Sequence, residues 1–159
     1  MAQITMGPYQ FTEKLIPLII TNCLDLKPLP IYGDGSNVRD WLYVIDHCIA
    51  LTKILDQGKP GQSYVIGGNQ PLKNIELVTK ICQILDELKP LVNSSYLNLI
   101  EFVDDRQGHD LRYSIDSSKI FSDLGWKPTV SFDEGLKNTI DWYINNEIWW
   151  RDIQKKNIK

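Results

Sequence analysis

Residues 13–26 read as a helix that is apolar on nearly every side. Leu15, Ile16, Leu18, Ile19, Ile20, Cys23, Leu24 and Leu26 surround it, and Pro17 is best placed in its first turn. A helix with so little polar face needs neighbours on more than one side. The stretch is interrupted by Pro17, Asn22 and Asp25 and is too short to span a bilayer. The rest of the chain must therefore supply the layers that cover it.

The next stretch, residues 28–46, holds two short apolar runs, 29–32 and 41–45, separated by Gly33-Asp34-Gly35-Ser36-Asn37. Apolar runs bounded by turn residues read as strands, and the glycines supply the unusual backbone angles of the link. Arg39-Asp40 lies just before the second run. Two readings stay open here. A ligand lies across the turn, with Arg39 supplying a planar charged fork for phosphate or carboxylate, or the stretch is an ordinary β-hairpin bearing a surface Arg-Asp pair.

Downstream, Asp46 is placed to cap a helix through residue 56, which Gly58-Lys59-Pro60-Gly61 ends. A short strand is expected at 63–66, and Gly67-Gly68-Asn69-Gln70-Pro71 closes it with a loop. Asn74 stands at the cap of a helix over 75–88 with an apolar stripe at Val78, Ile81, Cys82, Leu85 and Leu88. Residues 99–103 read as a strand and 104–111 as a charged loop. Asp116 caps a short helix that Gly125 stops. Ser131 and Glu134 have capping-box spacing ahead of a helix over 132–149, lined by Leu136, Ile140, Tyr143, Ile144 and Ile148. Trp142, Trp149 and Trp150 read as core or interface anchors, and residues 154–159 as a basic, frayed tail. Helices and short strands alternate without an internal linker, so the fold class is α/β to α+β in one unit.

A chain of 159 residues with 43% apolar and 23% charged content can bury a core. Its net charge of −3 offers no general affinity for nucleic acid or an anionic membrane. Cys23, Cys48 and Cys82 sit in apolar helix-like runs and read as small core side chains of a reducing, cytoplasmic protein. No signal peptide is expected in the first six residues. His47 and His109 lack thiolates or paired carboxylates at metal-site spacing, so no metal is expected. Neither glycine cluster completes a dinucleotide-binding fingerprint.

Arg39, Arg106 and His109 are the most suggestive charged residues. Arg106-Gln107-Gly108-His109-Asp110 places an arginine, a glycine and an imidazole in one loop, suited either to wrapping a diphosphate or to standing in solvent. Asp104-Asp105 reads as a solvated pair rather than a general acid and base.

Several blocks carry a resemblance to a known family. They are Gly7-Pro8-Tyr9-Gln10-Phe11, Glu13-Lys14-Leu15-Ile16-Pro17, Pro28-Leu29-Pro30-Ile31-Tyr32-Gly33, Arg39-Asp40-Trp41-Leu42-Tyr43-Val44, Tyr64-Val65-Ile66-Gly67-Gly68, Asp105-Arg106 with Gly108-His109-Asp110, and Leu124-Gly125-Trp126-Lys127-Pro128. In this order they resemble the C-terminal half of dTDP-glucose 4,6-dehydratase, an extended short-chain dehydrogenase/reductase of the NAD-dependent epimerase/dehydratase group. The resemblance implies the rim of a Rossmann sheet plus a small substrate-binding lobe. Residues 7–68 would belong mainly to the incomplete NAD-binding domain and the interlobe segment, 69–150 mainly to the substrate lobe, and 151–159 to a tail, within one truncated unit. It also implies that Lys14, Leu15, Pro30, Tyr32, Arg39, Asn74, Arg106 and His109 line the nucleotide end of the site. Arg39 and Arg106 would bind the diphosphate.

In the intact family the product is dTDP-4-dehydro-6-deoxy-glucose, formed from dTDP-glucose with loss of water while a tightly held NAD shuttles the hydride. The family's glycine-rich NAD loop, Tyr-x-x-x-Lys pair and Asp-Glu pair have no counterpart in these residues, and the family's Asn-Asn-Tyr before Gly-Pro is here Ile4-Thr5-Met6. The resemblance therefore implies half an enzyme, inactive alone, with no NAD bound by this chain. Its expected partners are dTDP-glucose or a related nucleotide sugar and, as a separate chain, the missing N-terminal half. A nucleotide-sugar-binding or partner-binding module without catalysis, and a non-functional remnant, remain open alternatives. Without the rest of the sheet, the helix at 15–26 and the strand at 63–66 are expected to lose partners and leave apolar surface exposed.

Overall fold

The computed structural model describes residues 4–105, 108, 110–113 and 115–157, the side chain of Asn157 excepted. Strand β1 (Ile4–Met6) leads to helix α1 (Leu15–Leu24), strands β2 (Leu29–Tyr32) and β3 (Val38–Tyr43), and helix α2 (Val44–Gln57). Strand β4 (Pro71–Lys73) precedes helix α3 (Asn74–Leu88), and a 3-10 turn at Tyr96–Leu99 precedes strand β5 (Ile100–Val103). Helices α4 (Ser118–Leu124), α5 (Phe132–Asn145) and α6 (Glu147–Asn157) complete the order.

The two runs of residues 28–46 do not form a hairpin. β2 pairs in parallel with β5, whereas β3 pairs in parallel with β1 and antiparallel with β4. The turn between them thus carries the chain from one sheet to the other. Gly33 and Gly35 both have positive φ there, and the Asp34 carboxylate accepts the Ser36 amide at 2.9 Å. Arg39 and Asp40 are buried rather than paired on the surface, because β3 is the central strand of its sheet.

Successive side chains of β3 point to opposite faces and separate two cores. Trp41 joins the larger one with Ile16, Ile19, Ile20 and Cys23 of α1, Leu77, Ile81 and Leu85 of α3, and Leu136 and Ile140 of α5. Leu42 joins the smaller one with Ala50 of α2, Ile120 and Leu124 of α4, and Trp126. Helix α1 is consequently enclosed, its Ile16, Ile19, Ile20 and Cys23 essentially inaccessible to solvent. The loss of neighbours expected for it does not occur, because α3, α5 and β2 surround it. Apolar side chains are nevertheless exposed at Leu26, just after α1, and at Val65, in the two segments expected to bare apolar surface, and also on α2 (Ile45, Ile49, Leu51, Leu55) and at Val92 and Ile148. Cys48 is also exposed on α2, so of the three cysteines only Cys23 and Cys82 are core residues. Contact with Cys82 and burial push the Cys23 thiol well above its ordinary range.

Residues 63–66 pair with no strand among the described residues. Beyond them the Asp40 carboxylate accepts the Gly68 amide at 2.7 Å and the Gln70 amide at 2.6 Å, and the ladder to β3 starts at Pro71 opposite Asp40. Tyr64 and Ile66 pack instead on the smaller core. The helix caps also shift. α2 starts before Asp46, α3 is capped at Lys73 with the Glu76 carboxylate accepting the Lys73 amide, and α4 is capped at Ser117. Ser131 does cap α5, accepting the Glu134 amide at 3.3 Å.

The long terminal helix is divided. At the C-cap of α5 the Asn146 amide and side chain both donate to the Trp142 carbonyl, at 2.9 and 2.8 Å. Helix α6 then continues past the expected tail boundary to Asn157 and swings Trp150 into the larger core, where its indole N–H donates to the Tyr143 carbonyl at 3.0 Å. Among the described residues no helix is long and apolar enough to cross a membrane.

Candidate functional site

The turn after β2 rests on the start of α3. The Ile75 amide donates to the Gly35 carbonyl at 3.1 Å and the Asn74 amide to the Asn37 carbonyl at 3.0 Å. Antiparallel pairing sets Arg39 opposite Leu72, two residues before Asn74. The loop after β5 begins and ends at the same turn. Gly33 donates to the Val103 carbonyl at 2.9 Å, and Val38 bridges to Arg112, donating to the Leu111 carbonyl at 2.8 Å. Tyr32, Arg39 and Asn74 are thereby brought to one region of the molecule with both ends of the loop. Arg106 and His109, which the loop carries, lie outside the described residues.

Arg39 is only 5% exposed. One terminal nitrogen donates to the Val38 carbonyl at 2.8 Å and the other to the Asp110 carbonyl at 2.9 Å. Its guanidinium lies over the Tyr113 ring, 4.5 Å from the centroid, and the Tyr113 hydroxyl donates to the Asp110 carboxylate at 2.5 Å. That bond and the charge of Asp110 push the Tyr113 phenol above its ordinary range. Asn74 is the first residue of α3 rather than its cap, and its buried Oδ1 has no hydrogen-bond partner among the described residues. An acceptor left in that state is completed by a donor from a ligand or water.

Lys14 stands exposed at the N-terminal cap of α1, followed by half-buried Leu15. Pro30 and Tyr32 are alternate, half-buried residues of β2. Asp104 and Asp105 are exposed. His47 is half-buried on α2, where burial lowers its pKa below the ordinary value. Among the described residues no group of three or more His, Cys, Asp or Glu side chains is arranged to hold a metal ion.

Three residues have structural roles other than those read from the sequence, where Asp40 reads as one of a surface pair, Asp46 as a helix cap and Tyr143 as part of an apolar stripe. Asp40 fastens the segment before β4. Asp46 is fully buried and accepts from Thr129 and Val130. The Tyr143 hydroxyl donates to the Gln10 carbonyl. A carboxylate inside an apolar run, as in Arg39-Asp40-Trp41-Leu42, is the signal that identifies such residues, because burial demands donors for it.

The sequence profile of the GDP-mannose 4,6 dehydratase family matches residues 4–139. The chain belongs to this family. It is 53% identical over 150 residues to a probable dTDP-glucose 4,6-dehydratase of Sinorhizobium fredii, covering 94% of this chain and 43% of that protein. It is 51% identical to the dTDP-glucose 4,6-dehydratase of Neisseria meningitidis serogroup B, covering 92% and 42% respectively. The crystal structure of dTDP-glucose 4,6-dehydratase from Bacillus anthracis in complex with NAD superposes with a TM-score of 0.84 at 45% identity, covering 94% of this chain and 45% of that one. The chain spans less than half the length of these relatives and corresponds to their C-terminal half. Its extended short-chain dehydrogenase/reductase fold is therefore a partial one.

At Gly35 and Gly68 the chain offers no cradle for the pyrophosphate of the NAD held by that relative. A Cβ at Gly35 would lie 2.8 Å from the side chains of Ile31 and Ile75, and one at Gly68 would lie 1.9 Å from the Trp41 carbonyl oxygen. The room left by these glycines is filled by the chain's own core, so it makes no cradle for a pyrophosphate.

Proposed function

We propose that this chain is the substrate-binding half of a dTDP-glucose 4,6-dehydratase, the enzyme class that converts dTDP-glucose to dTDP-4-dehydro-6-deoxy-glucose and water. Identity above 50% to dTDP-glucose 4,6-dehydratases over more than nine-tenths of the chain carries the reading. In it, Arg39 and Arg106 neutralise the diphosphate, Asn74 and His109 add polar contacts, Pro30 and Tyr32 border the nucleoside, and Lys14 and Leu15 complete the wall. The observations that support it are the gathering of Tyr32, Arg39 and Asn74 around the loop ends and the orphaned Asn74 Oδ1. The charged oxygens of a diphosphate are stronger acceptors for the Arg39 guanidinium than neutral carbonyls.

On this reading the chain binds a nucleotide sugar but does not turn it over, because the proton-handling and NAD-binding residues belong to the other half of the enzyme. Catalysis is completed by a polypeptide that supplies them. The exposed apolar face of α2 supports a chain that works against a partner.

Calorimetric titration of the purified chain with dTDP, with UDP as the comparison and an Arg39→Ala variant of confirmed fold as the control, tests the reading. Saturable dTDP binding that weakens in the variant is the expected result. Absence of binding by a folded sample overturns it.

A further inference from the structure

We infer that Tyr113 is a positioning residue for Arg39 and, through it, for the diphosphate of a nucleotide-sugar ligand; the inference rests on the role proposed above for Arg39. Three residues close a ring of contacts. Arg39 donates to the Asp110 carbonyl at 2.9 Å, the Asp110 carboxylate accepts the Tyr113 hydroxyl, and the Tyr113 ring lies 4.5 Å from the Arg39 guanidinium carbon. Backbone bonds hold this ring on β3, since the Tyr113 amide donates to the Val38 carbonyl at 3.3 Å and the Val38 amide to the Leu111 carbonyl at 2.8 Å.

The consequence is orientational. A guanidinium has five donors in one plane, and a ring whose centroid lies 4.5 Å from its carbon restricts its rotation and closes one side of it to acceptors. An arginine on its flexible stem loses rotamer freedom when it clamps a phosphate, and an arginine already stacked has lost much of it beforehand. The Tyr113 ring supplies the stacking. Its hydroxyl holds Asp110, whose carbonyl lies in the fork. Tyr113 thus acts on the ligand only through Arg39 and the loop end.

Two measurements on the 159-residue chain separate this inference from the role of Arg39 itself. In the first, side-chain NMR of the Arg39 Nε–H group reports ring-current shielding with no ligand present. The Tyr113→Phe variant is expected to retain the shielding and Tyr113→Leu to lose it. In the second, titration with dTDP and with thymidine, which lacks the diphosphate, is expected to show about a five-fold loss of dTDP affinity in Tyr113→Leu, from the cation–π contact, with thymidine affinity unchanged and Tyr113→Phe within about two-fold of the original chain. Asp110→Ala, at an exposed position, provides a second variant should Tyr113→Leu not fold, with about a two- to three-fold loss confined to dTDP.

If the unmodified chain binds no dTDP, the role of Arg39 fails and this inference with it. If Arg39→Ala abolishes dTDP binding while Tyr113→Leu and Asp110→Ala retain full affinity, Arg39 keeps its role and the positioning role of Tyr113 is overturned. Equal losses towards dTDP and thymidine overturn it as well, because they mark a general disturbance of the fold.

Discussion

Trp41 and Leu42 are adjacent in β3 and belong to different cores, the indole facing α1, α3 and α5 and the leucine facing α2 and α4. One strand thus serves as the wall between two packed layers. Whatever disturbs its backbone is felt on both sides.

Gly68 packs directly against that backbone. A Cβ there would stand 1.9 Å from the Trp41 carbonyl oxygen and 2.8 Å from its carbon, neither of which can move without breaking the sheet. Gly68→Ala is expected to lower stability by about 3 kcal/mol or more. Urea denaturation monitored at the tryptophans measures it, with a loss below about 1 kcal/mol contradicting the tight approach.

Asp46 ties α2 to the segment before α5. Its carboxylate accepts the Thr129 amide at 3.0 Å, the Thr129 hydroxyl at 2.6 Å and the Val130 amide at 2.9 Å, and the residue is fully buried. Asp46→Ala leaves these donors without their acceptor and is expected to cost about 2 to 3 kcal/mol. Hydrogen exchange should show the Thr129 and Val130 amides losing protection first. Unchanged protection would contradict the role assigned to the carboxylate.

Helix α6 is fastened to the end of α1 by Arg151, which meets the Asp25 carboxylate at 2.8 Å and that of Glu147 at 2.6 Å. Burial raises the Asp25 pKa, but hydrogen bonds from Lys27 and Arg151 outweigh it and leave the group below its ordinary 3.8. A lowered carboxylate stabilises the fold fully above the unfolded value and loses that contribution as pH falls through the folded value. Arg151 is partly exposed, so Arg151→Ala is expected to cost only about 0.5 to 1 kcal/mol at neutral pH. The difference should fade below pH 3.8 as Asp25 is protonated. A gap between the two chains that persists undiminished in acid would show that Arg151 acts through packing alone.

The C-terminus of α1 offers a stabilising change. Leu26 has φ 55° and follows a closing pattern in which the Leu26 amide donates to Cys23 and the Lys27 amide to Asn22. Helices usually place glycine at such a left-handed position. Leu26 is largely exposed, and Leu26→Gly is expected to raise stability by about 0.5 to 1 kcal/mol, relieving the Cβ strain at the cost of some chain entropy. A fall in the thermal midpoint would show that the leucine side chain contributes more than its exposure suggests.

Local signals in the sequence located most of the helices, though not the break between α5 and α6. The stripe at Val78, Ile81, Cys82 and Leu85, the Ser131 cap and the Gly125 stop all depend on groups within a few residues of one another, and each is found in the structure, whereas Leu88, read as the last residue of that stripe, is exposed. The all-round apolar character of residues 15–24 likewise required cover on several sides, and the fold supplies it. Strand partnership was settled only by the tertiary structure. The runs read at 29–32 and 41–45 have the spacing of a hairpin, yet the strands that form, 29–32 and 38–43, find their partners in residues 100–103 and in 4–6 and 71–73. Backbone donors and acceptors carry no side-chain label, so sequence cannot say which distant strand satisfies them. The candidate site followed the same division. Arg39 was legible as a charged fork beside a glycine turn, whereas its burial against Asp110 and Tyr113, more than seventy positions away, arises only when the loop after β5 folds back to β3.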